Sequence, residues 1–258
     1  MLDQYCYKDI PLPEIAGILK TLKGAEVIMT FNIDNLTTYL ADRAANRKPL
    51  ETIGLDKYVP WDQIKTLKAT QKREWRRILQ RHLAHGIKCE SGAEFMTLFF
   101  VKPHGTNSWG YWLIHLSNHY RAHEVMKSLH WEHATDFGHE LEPGIFEFGY
   151  NTNKDGEYTG QDTFEFGESQ SKEECIEGVR EHFGKQIFAL KKPIRVGELF
   201  QGCVGQSTAA ETHLMDATRR LHSSKDIVVA SKDGSIRRPS KNYRADDVIE
   251  PSKQIILI

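Results

Sequence analysis

One uninterrupted apolar run, AEVIMTF at residues 25–31, constrains the fold of this chain more than any other feature. Such a run is typical of a strand that is covered on both faces, as in a parallel sheet. An amphipathic helix precedes it, with apolar residues at helical spacing from Ile15 to Leu22 and Gly24 at its end. A short apolar-aromatic segment, residues 1–7, precedes that helix. The order strand, helix, strand predicts a right-handed βαβ unit in an α/β fold.

The following residues predict more helices and a β-hairpin. Helical patterns cover residues 34–46, 51–57 and 61–85. Two strands, 94–102 and 109–117, are joined by the turn formers of PHGTNS, which is typical of a hairpin. A helix is predicted from about His119 to His133, with Val125, Met126 and Leu129 pointing inward. We therefore expect a first domain at residues 1–134.

Residues 135–184 differ in character and are predicted to be an acidic insert or linker. Residues 135–181 hold thirteen acidic side chains against three basic ones. A helix is predicted at 171–183, with Gly184 as its C-cap. The insert is interpreted as a solvated linker or flap, and a segment that masks a basic surface until nucleic acid arrives is the alternative.

The last part, residues 185–258, predicts a winged helix-turn-helix domain. A short helix at 195–201 is followed by a longer one that Ser207 or Thr208 caps and that ends near Ser223. Strands at 227–230 and 248–257 flank a tight turn at Lys232-Asp233-Gly234-Ser235. Two helices and a β-wing with basic residues beside the turn have the composition of this fold.

The element order is similar to that of a class I methyltransferase in its second half, where a terminal hairpin inserts an antiparallel strand into a parallel sheet. The chain also resembles the three-Cys-motif partner protein family. The segments that carry this resemblance are LDQYCYKDIPLPEI, AEVIMTFNIDNLTTYL, YWLIHLSNHYRAHEVMKSLHW and the tail from IRVGELFQ through ATRRLHSS. The resemblance implies a Rossmann-like methyltransferase fold without its N-terminal half, a C-terminal winged helix, and a mobile-element or phage-defence context.

The resemblance also suggests catalytic candidates. Asp3, Gln4 and Tyr5 end the first predicted strand, where amino-methyltransferases place a D-P-P-Y-like motif that binds an exocyclic amino group and stacks on the base. Both prolines of that motif are replaced here, and Tyr7 offers a second aromatic ring. A purely structural strand end is the alternative.

Polar residues after the second strand form a candidate ligand edge. Asn32, Asp34 and Asn35 follow residue 31, at the carboxyl end of a strand, where open α/β sheets bind ligands. Capping of the next helix is the alternative. We group these three residues with Tyr7.

No glycine-rich cofactor loop is recognisable, because the nearest glycines, Gly202 and Gly205, lie in the predicted helix-turn-helix. We therefore expect no cofactor for this chain alone, and S-adenosylmethionine only where a missing half is supplied. Either a partner covers the edge of the half-sheet, or the start of the chain lies too far downstream. Enzymatic activity of this chain alone is not expected.

Basic residues suggest nucleic-acid contacts in both domains, with a solvated face or a protein-docking surface as alternatives. The candidates are Arg73, Arg76, Arg77, Arg81, Arg219, Arg220, Lys232, Arg237, Arg238 and Lys241. No metal is expected, because His119 and His123 lack an evident third ligand. The four separated cysteines are expected to be reduced and mostly buried.

These observations predict a cytoplasmic, nucleic-acid-associated partner protein with a methyltransferase-like scaffold. No membrane association is expected, because the chain contains neither a long apolar stretch nor a secretory signal. Its partners would be DNA or RNA and a three-cysteine-motif protein. An amino-group methyltransferase completed by another half, or an adaptor for a radical-SAM-like three-cysteine protein, are the alternatives.

Overall fold

The computed structural model describes residues 2, 7–70, 74–105, 109–135, 148–152, 155, 166–204, 207–240 and 242–252. The chain divides into two compact units, Met1–Phe164 and Glu165–Ile258. The acidic stretch expected to be a separate insert is therefore shared between the two units. None of the helices described combines the length and the apolar character needed to cross a membrane.

The first unit is a mixed α/β unit. Its helices are α1 (Leu12–Thr21), α2 (Ile33–Tyr39), α3 (Ala44–Thr52), α4 (Trp61–Thr70), α5 (Glu74–Ser91) and α6 (Tyr120–His133), with 3-10 turns at Tyr7–Asp9 and Asp56–Tyr58. Its strands are β1 (Glu26–Phe31), β2 (Phe95–Lys102), β3 (Tyr111–Ser117) and β4 (Phe148–Asn151). The predicted strands at 25–31, 94–102 and 109–117 are confirmed. The helix predicted at 61–85 falls on α4 and α5, with residues 71–73 between them outside the described residues, and α5 extends beyond the predicted end to Ser91.

The four strands form one mixed sheet in the order β1-β3-β2-β4. Strand β3 is antiparallel to both β1 and β2, whereas β4 is parallel to β2. The hairpin strand β3 therefore lies between two strands that run in the same direction. Leu2 adds an isolated parallel bridge to Met29 on the outer side of β1, where its N–H donates to the Ile28 carbonyl at 2.7 Å.

The hydrophobic core lies on one face of this sheet. Along β1, Val27, Met29 and Phe31 are buried and the residues between them are less so. Phe31 stacks on Trp112 of β3 with ring centroids 5.7 Å apart. The side chains that complete this core come largely from α1 and α5, including Ile15, Leu19, Leu79, Leu83 and Ile87. Burial alternates along β1, so the expectation that both of its faces are fully covered is wrong.

Helix α6 lies against the opposite face, over β2, β3 and β4. Its position along the sequence is as predicted, but its predicted orientation is wrong. Val125 and Leu129, expected to point inward, are 48% and 41% exposed. Polar residues take their place on the buried side, since the sheet face beneath the helix offers aromatic rings on which imidazoles stack.

The second unit contains three helices and a small antiparallel sheet. Its elements are α7 (Phe166–Leu190), β5 (Ile194–Arg195), α8 (Val196–Val204), α9 (Glu211–Ser223), β6 (Ile227–Ala230) and β7 (Val248–Pro251). The strand order is β5-β7-β6. Its core includes a stacked pair, Phe183 and Phe200, with ring centroids 5.8 Å apart.

Two predicted helix ends in this unit are wrong. Gly184 does not cap a helix, because α7 continues through it to Leu190. Neither Ser207 nor Thr208 caps α9, which begins at Glu211. Instead, the Ala210 N–H donates to His213 Nδ1 at 3.1 Å, so a histidine inside the helix satisfies the main chain at its start.

Among the described cysteines, Cys175 and Cys203 are buried as expected. Cys89 is exposed, because it lies in the last turn of α5, away from the core.

Candidate nucleic-acid interface

The carboxyl ends of β1 and β2 lie at the same edge of the first sheet. Phe31 near the end of β1 and Phe100 on β2 are both register partners of Trp112 on β3. Lys102 ends β2 at this edge, where its Nζ lies 5.2 Å from the centroid of the Phe100 ring. The chain enters β3 at the same edge through Gly110. In an open α/β sheet, ligands bind at this edge.

The polar residues predicted at this edge are used to hold α2 on the sheet. Asn32 Oδ1 accepts a hydrogen bond from the Asn35 N–H at 3.0 Å and thereby caps the helix. Asp34 Oδ2 accepts one from the Gly110 N–H at 2.8 Å. A Cβ at Gly110 would lie 2.5 Å from Asp34 Oδ2 and 2.7 Å from Phe100 Cζ, so only glycine fits. The capping alternative therefore describes the observed contacts of Asn32.

The catalytic candidates Asp3, Gln4 and Tyr5 lie outside the described residues. Tyr7, the second aromatic residue that follows them in the sequence, is half-buried. Its ring centroid lies 6.2 Å from that of Phe31, the last residue of β1. Tyr7 itself therefore lies beside the carboxyl end of β1.

Two aromatic rings are exposed at this edge. Tyr39, at the end of α2, is 61% exposed, and Trp109, just before Gly110, is 39% exposed. Their ring centroids are 5.9 Å apart, with 46° between the ring planes. The Tyr39 carbonyl accepts a hydrogen bond from Asn46 Nδ2 at 2.9 Å, which fixes the main chain at the end of α2. Together, the two rings form an aromatic surface that is exposed to solvent.

This pair was not predicted from the sequence, because Tyr39 lies within the helix predicted at 34–46 and Trp109 is the first residue of the strand predicted at 109–117. The structure ends α2 at Tyr39 and begins β3 two residues after Trp109. The sequence does contain a signal for the exposure of Trp109. Trp109 precedes Gly110, and both lie before the stretch of β3 in which buried side chains alternate.

Cations lie beside the exposed pair. Lys68 donates from Nζ to the carbonyl of Leu40, the residue after Tyr39. Its Nζ also lies 4.3 Å from the centroid of the Trp75 ring, and the Arg76 guanidinium lies 5.6 Å from the same ring. Burial and the neighbouring Arg76 charge lower the pKa of Lys68. Arg76 is exposed.

The arginines predicted to form one basic helix face differ in their exposure to solvent. Arg76 is exposed, whereas Arg77 and Arg81 are half-buried with their Nε atoms shielded from solvent. Arg73 lies outside the described residues. Among the described arginines of this group, Arg76 is the one that shares the Trp75 ring with Lys68, whose Nζ binds the Leu40 carbonyl.

The histidines that invited a metal hypothesis have other roles. His119 caps α6, accepting the Arg121 N–H on Nδ1 at 3.2 Å. His115, His123 and His130 are buried between α6 and the sheet. Within the described part of the chain, no three His, Cys, Asp or Glu side chains converge as a metal-binding group.

In the second unit, the predicted arginines of α9 are held by acidic neighbours. Arg220 bridges Glu173 and Glu177 of α7, with Nη1 2.6 Å from Glu177 Oε1. These carboxylates raise the pKa of Arg220, which stays charged. Arg219 Nη2 lies 3.0 Å from Asp216 Oδ1 on the same helix. Both cations therefore serve contacts within the unit.

The segment between β6 and β7 carries exposed cations that form no ion pair with a described residue. Arg237 Nε lies 2.8 Å from Oδ1 of Asp247, which is completely buried. Lys232 and Arg238, by contrast, are exposed and make no ion pair with any described residue. Lys241 lies outside the described residues. Of the predicted basic group, Lys232 and Arg238 thus remain open to a ligand.

Comparison of the chain with protein-family models, curated proteins and solved structures finds no match. The function has to be inferred from the geometry above.

Proposed function

We propose that this protein binds nucleic acid, with the carboxyl edge of its first sheet as the contact surface. The observation that carries the proposal is the exposed Tyr39–Trp109 pair, with its ring centroids 5.9 Å apart. Exposed aromatic rings stack on unpaired bases irrespective of base identity, and nearby cations contact the phosphates. Lys102 at the same edge supplies one such cation, and Arg76, which shares the Trp75 ring with Lys68, supplies another.

The scaffold is proposed to be of the methyltransferase type. An antiparallel strand between two parallel ones supports this, because the second half of a class I methyltransferase sheet has that arrangement. The second unit is proposed to be a winged helix, supported by its order of helix, strand, two helices and two strands. The mobile-element or phage-defence setting, with a three-cysteine partner, rests on the family resemblance.

Binding is tested by fluorescence anisotropy with labelled single-stranded and duplex oligonucleotides. Loss of one stacking contact costs about 1–3 kcal/mol, so Tyr39→Ala should weaken single-strand binding roughly 5- to 150-fold. Tyr39→Phe keeps the ring and should retain the affinity. Phe188→Ala, a change at a 50% exposed aromatic of α7, is the matched control and should have no effect.

Three results would contradict the proposal: no binding by the unmodified protein, equal affinity for wild type and Tyr39→Ala, or equal losses in Tyr39→Ala and Phe188→Ala. The duplex measurement distinguishes the surfaces further. Lys232→Ala with Arg238→Ala should weaken duplex binding more than single-strand binding if the second unit reads duplex DNA.

A second candidate is an amino-group methyltransferase completed by another half or chain. The parallel bridge between Leu2 and Met29 favours it, because it places Leu2, the residue before Asp3, Gln4 and Tyr5 in the sequence, beside β1. Calorimetric titration with S-adenosylmethionine, with and without a supplied half, tests this candidate. Absence of heat in both experiments would dismiss it.

A further inference from the structure

The buried side of α6 is polar along its whole length. His123, Glu124, Lys127 and His130 follow one another at helical spacing and are each 5% exposed or less. The outer side of the same helix carries exposed Val125 and Leu129. Since burial of polar groups is costly and burial of apolar groups is favourable, this helix is docked against the hydrophobic preference of its own sequence.

Stacked rings secure the helix at two positions. The His123 ring lies over Phe95, with centroids 5.1 Å apart and 28° between the planes. Four residues further along β2, the His130 ring lies over Phe99, with centroids 4.6 Å apart and 26° between the planes. Thr97 occupies the position between the two phenylalanines on the same strand face.

A positive charge on His130 is incompatible with this docking of α6. Neither of its ring nitrogens has a hydrogen-bond partner among the described residues. Burial, reinforced by nearby His115, lowers the pKa of His130 to about 3. Glu124, the carboxylate on the same helix face, lies six residues earlier, about 9 Å along the axis, which is too far for an ion pair.

The neighbouring groups offer little to stabilise a positive charge on His130. His115 Nε2 lies 3.0 Å from Glu26 Oε2, so this carboxylate is engaged by another imidazole. The side chains of Phe95, Thr97 and Phe99 on β2 carry no charge. Among the described residues, the ionisable groups around the layer are His123, Glu124 and Lys127 on α6, His115 on β3, Glu26 on β1, and Tyr150 with its partner Asp155 beside β2.

We propose that α6 is a pH-sensitive closure, and that protonation of His130 releases it from the sheet. The released helix exposes Thr97 and His115 to solvent, while the opposite face of the sheet keeps its apolar core. Water then hydrates both the imidazolium and the exposed strand face, so the release requires no new protein partner for either.

The direction with pH follows from the ionisation of His130. In the docked helix its pKa is depressed, whereas in the released helix it returns to the ordinary value near 6.5. The contribution of neutral His130 to docking is therefore fully present above pH 6.5 and is lost as the pH falls from 6.5 toward 3. At pH 5 the released population should be roughly thirtyfold larger than at pH 7.5.

A thiol beneath the helix measures this release. Thr97→Cys is introduced in a Cys6→Ser, Cys89→Ser background, where Cys175 and Cys203 are buried. Ser128→Cys, at an exposed position of the same helix, is the matched control. Both are labelled with 4,4′-dithiodipyridine, and the ratio of the two rates cancels the pH dependence of thiol ionisation. This ratio should rise about thirtyfold between pH 7.5 and pH 5.

His130→Phe retains the stack on Phe99 and should abolish the rise, as should His130→Gln if the phenylalanine variant does not fold. Circular dichroism establishes that each variant is folded, and tryptophan fluorescence reports whether the first unit stays folded at pH 5. A constant ratio in the protein with His130 would overturn the proposal. A rise that persists in the folded His130 variant, or one accompanied by unfolding of the first unit, would also overturn it.

Discussion

Replacing Gly86 by alanine tests how tightly α5 packs in the first unit. A Cβ at this position would lie 2.7 Å from Tyr58 Cδ2 and 3.0 Å from Leu55 Cδ2. Both atoms belong to residues in or beside the 3-10 turn Asp56–Tyr58. The ring cannot move freely, because the Tyr58 hydroxyl donates to Glu90 Oε1 at 2.6 Å.

The expected magnitude follows from two opposing effects. Alanine in place of a helical glycine stabilises by about 1 kcal/mol, whereas overpacking costs about 1–3 kcal/mol. Gly17→Ala is the matched control, because Gly17 is exposed in α1 and a Cβ there meets nothing within 4 Å. Helix propensity cancels between the variants, so the free energy of unfolding of Gly86→Ala should be about 1–3 kcal/mol below that of Gly17→Ala.

Urea unfolding followed by tryptophan fluorescence measures this difference in the correct unit. All five tryptophans lie between residues 61 and 131, so their emission reports on the first unit. Gly17→Ala should unfold at higher urea than the unmodified protein, and Gly86→Ala at lower urea than Gly17→Ala. Equal midpoints for the two variants would refute the claim that Tyr58 and Leu55 leave no room for a methyl group.

Three further changes probe single polar contacts. Asp247→Asn should destabilise the second unit by about 2–3 kcal/mol, because it removes the buried partner of Arg237; circular dichroism should register the loss while tryptophan emission stays unchanged. Glu90→Gln should lower the pKa of Tyr58 from about 12 toward 10, seen as earlier phenolate absorbance on alkaline titration, since the carboxylate that holds its proton loses its charge. Arg220→Met should destabilise the second unit by about 1 kcal/mol in low salt and by less in high salt; an effect independent of salt would contradict an ionic contribution.

The sequence predicted those elements whose patterns depend on near neighbours. The strands at 94–102 and 109–117 could be located because apolar residues flank a cluster of turn formers, and the structure has them at Phe95–Lys102 and Tyr111–Ser117. The two-residue strand β5 could not be found in this way. It exists because Ile194 pairs with Ile249, more than fifty residues away along the chain.

The orientation of α6 shows a different limit. Apolar periodicity predicts that Val125 and Leu129 face the sheet, yet the buried side is the one with His123 and His130. Periodicity ranks side chains by their average preference and takes no account of a specific receiving surface. Here the sheet face presents aromatic rings, on which the imidazoles of the helix stack. That surface forms only when β2 and β3 pair.

Positive charge along the sequence was likewise a poor guide to positive charge at the surface. In the second unit Arg219, Arg220 and Arg237 each lie against a carboxylate, and a close pair of opposite charges exerts little field beyond its own separation. Lys232 and Arg238 remain in this unit, and Lys102 and Arg76 in the first, which amounts to about four phosphate contacts and a correspondingly limited salt dependence. Under the proposed function, base stacking on Tyr39 and Trp109 would therefore contribute a part of the affinity that salt does not screen.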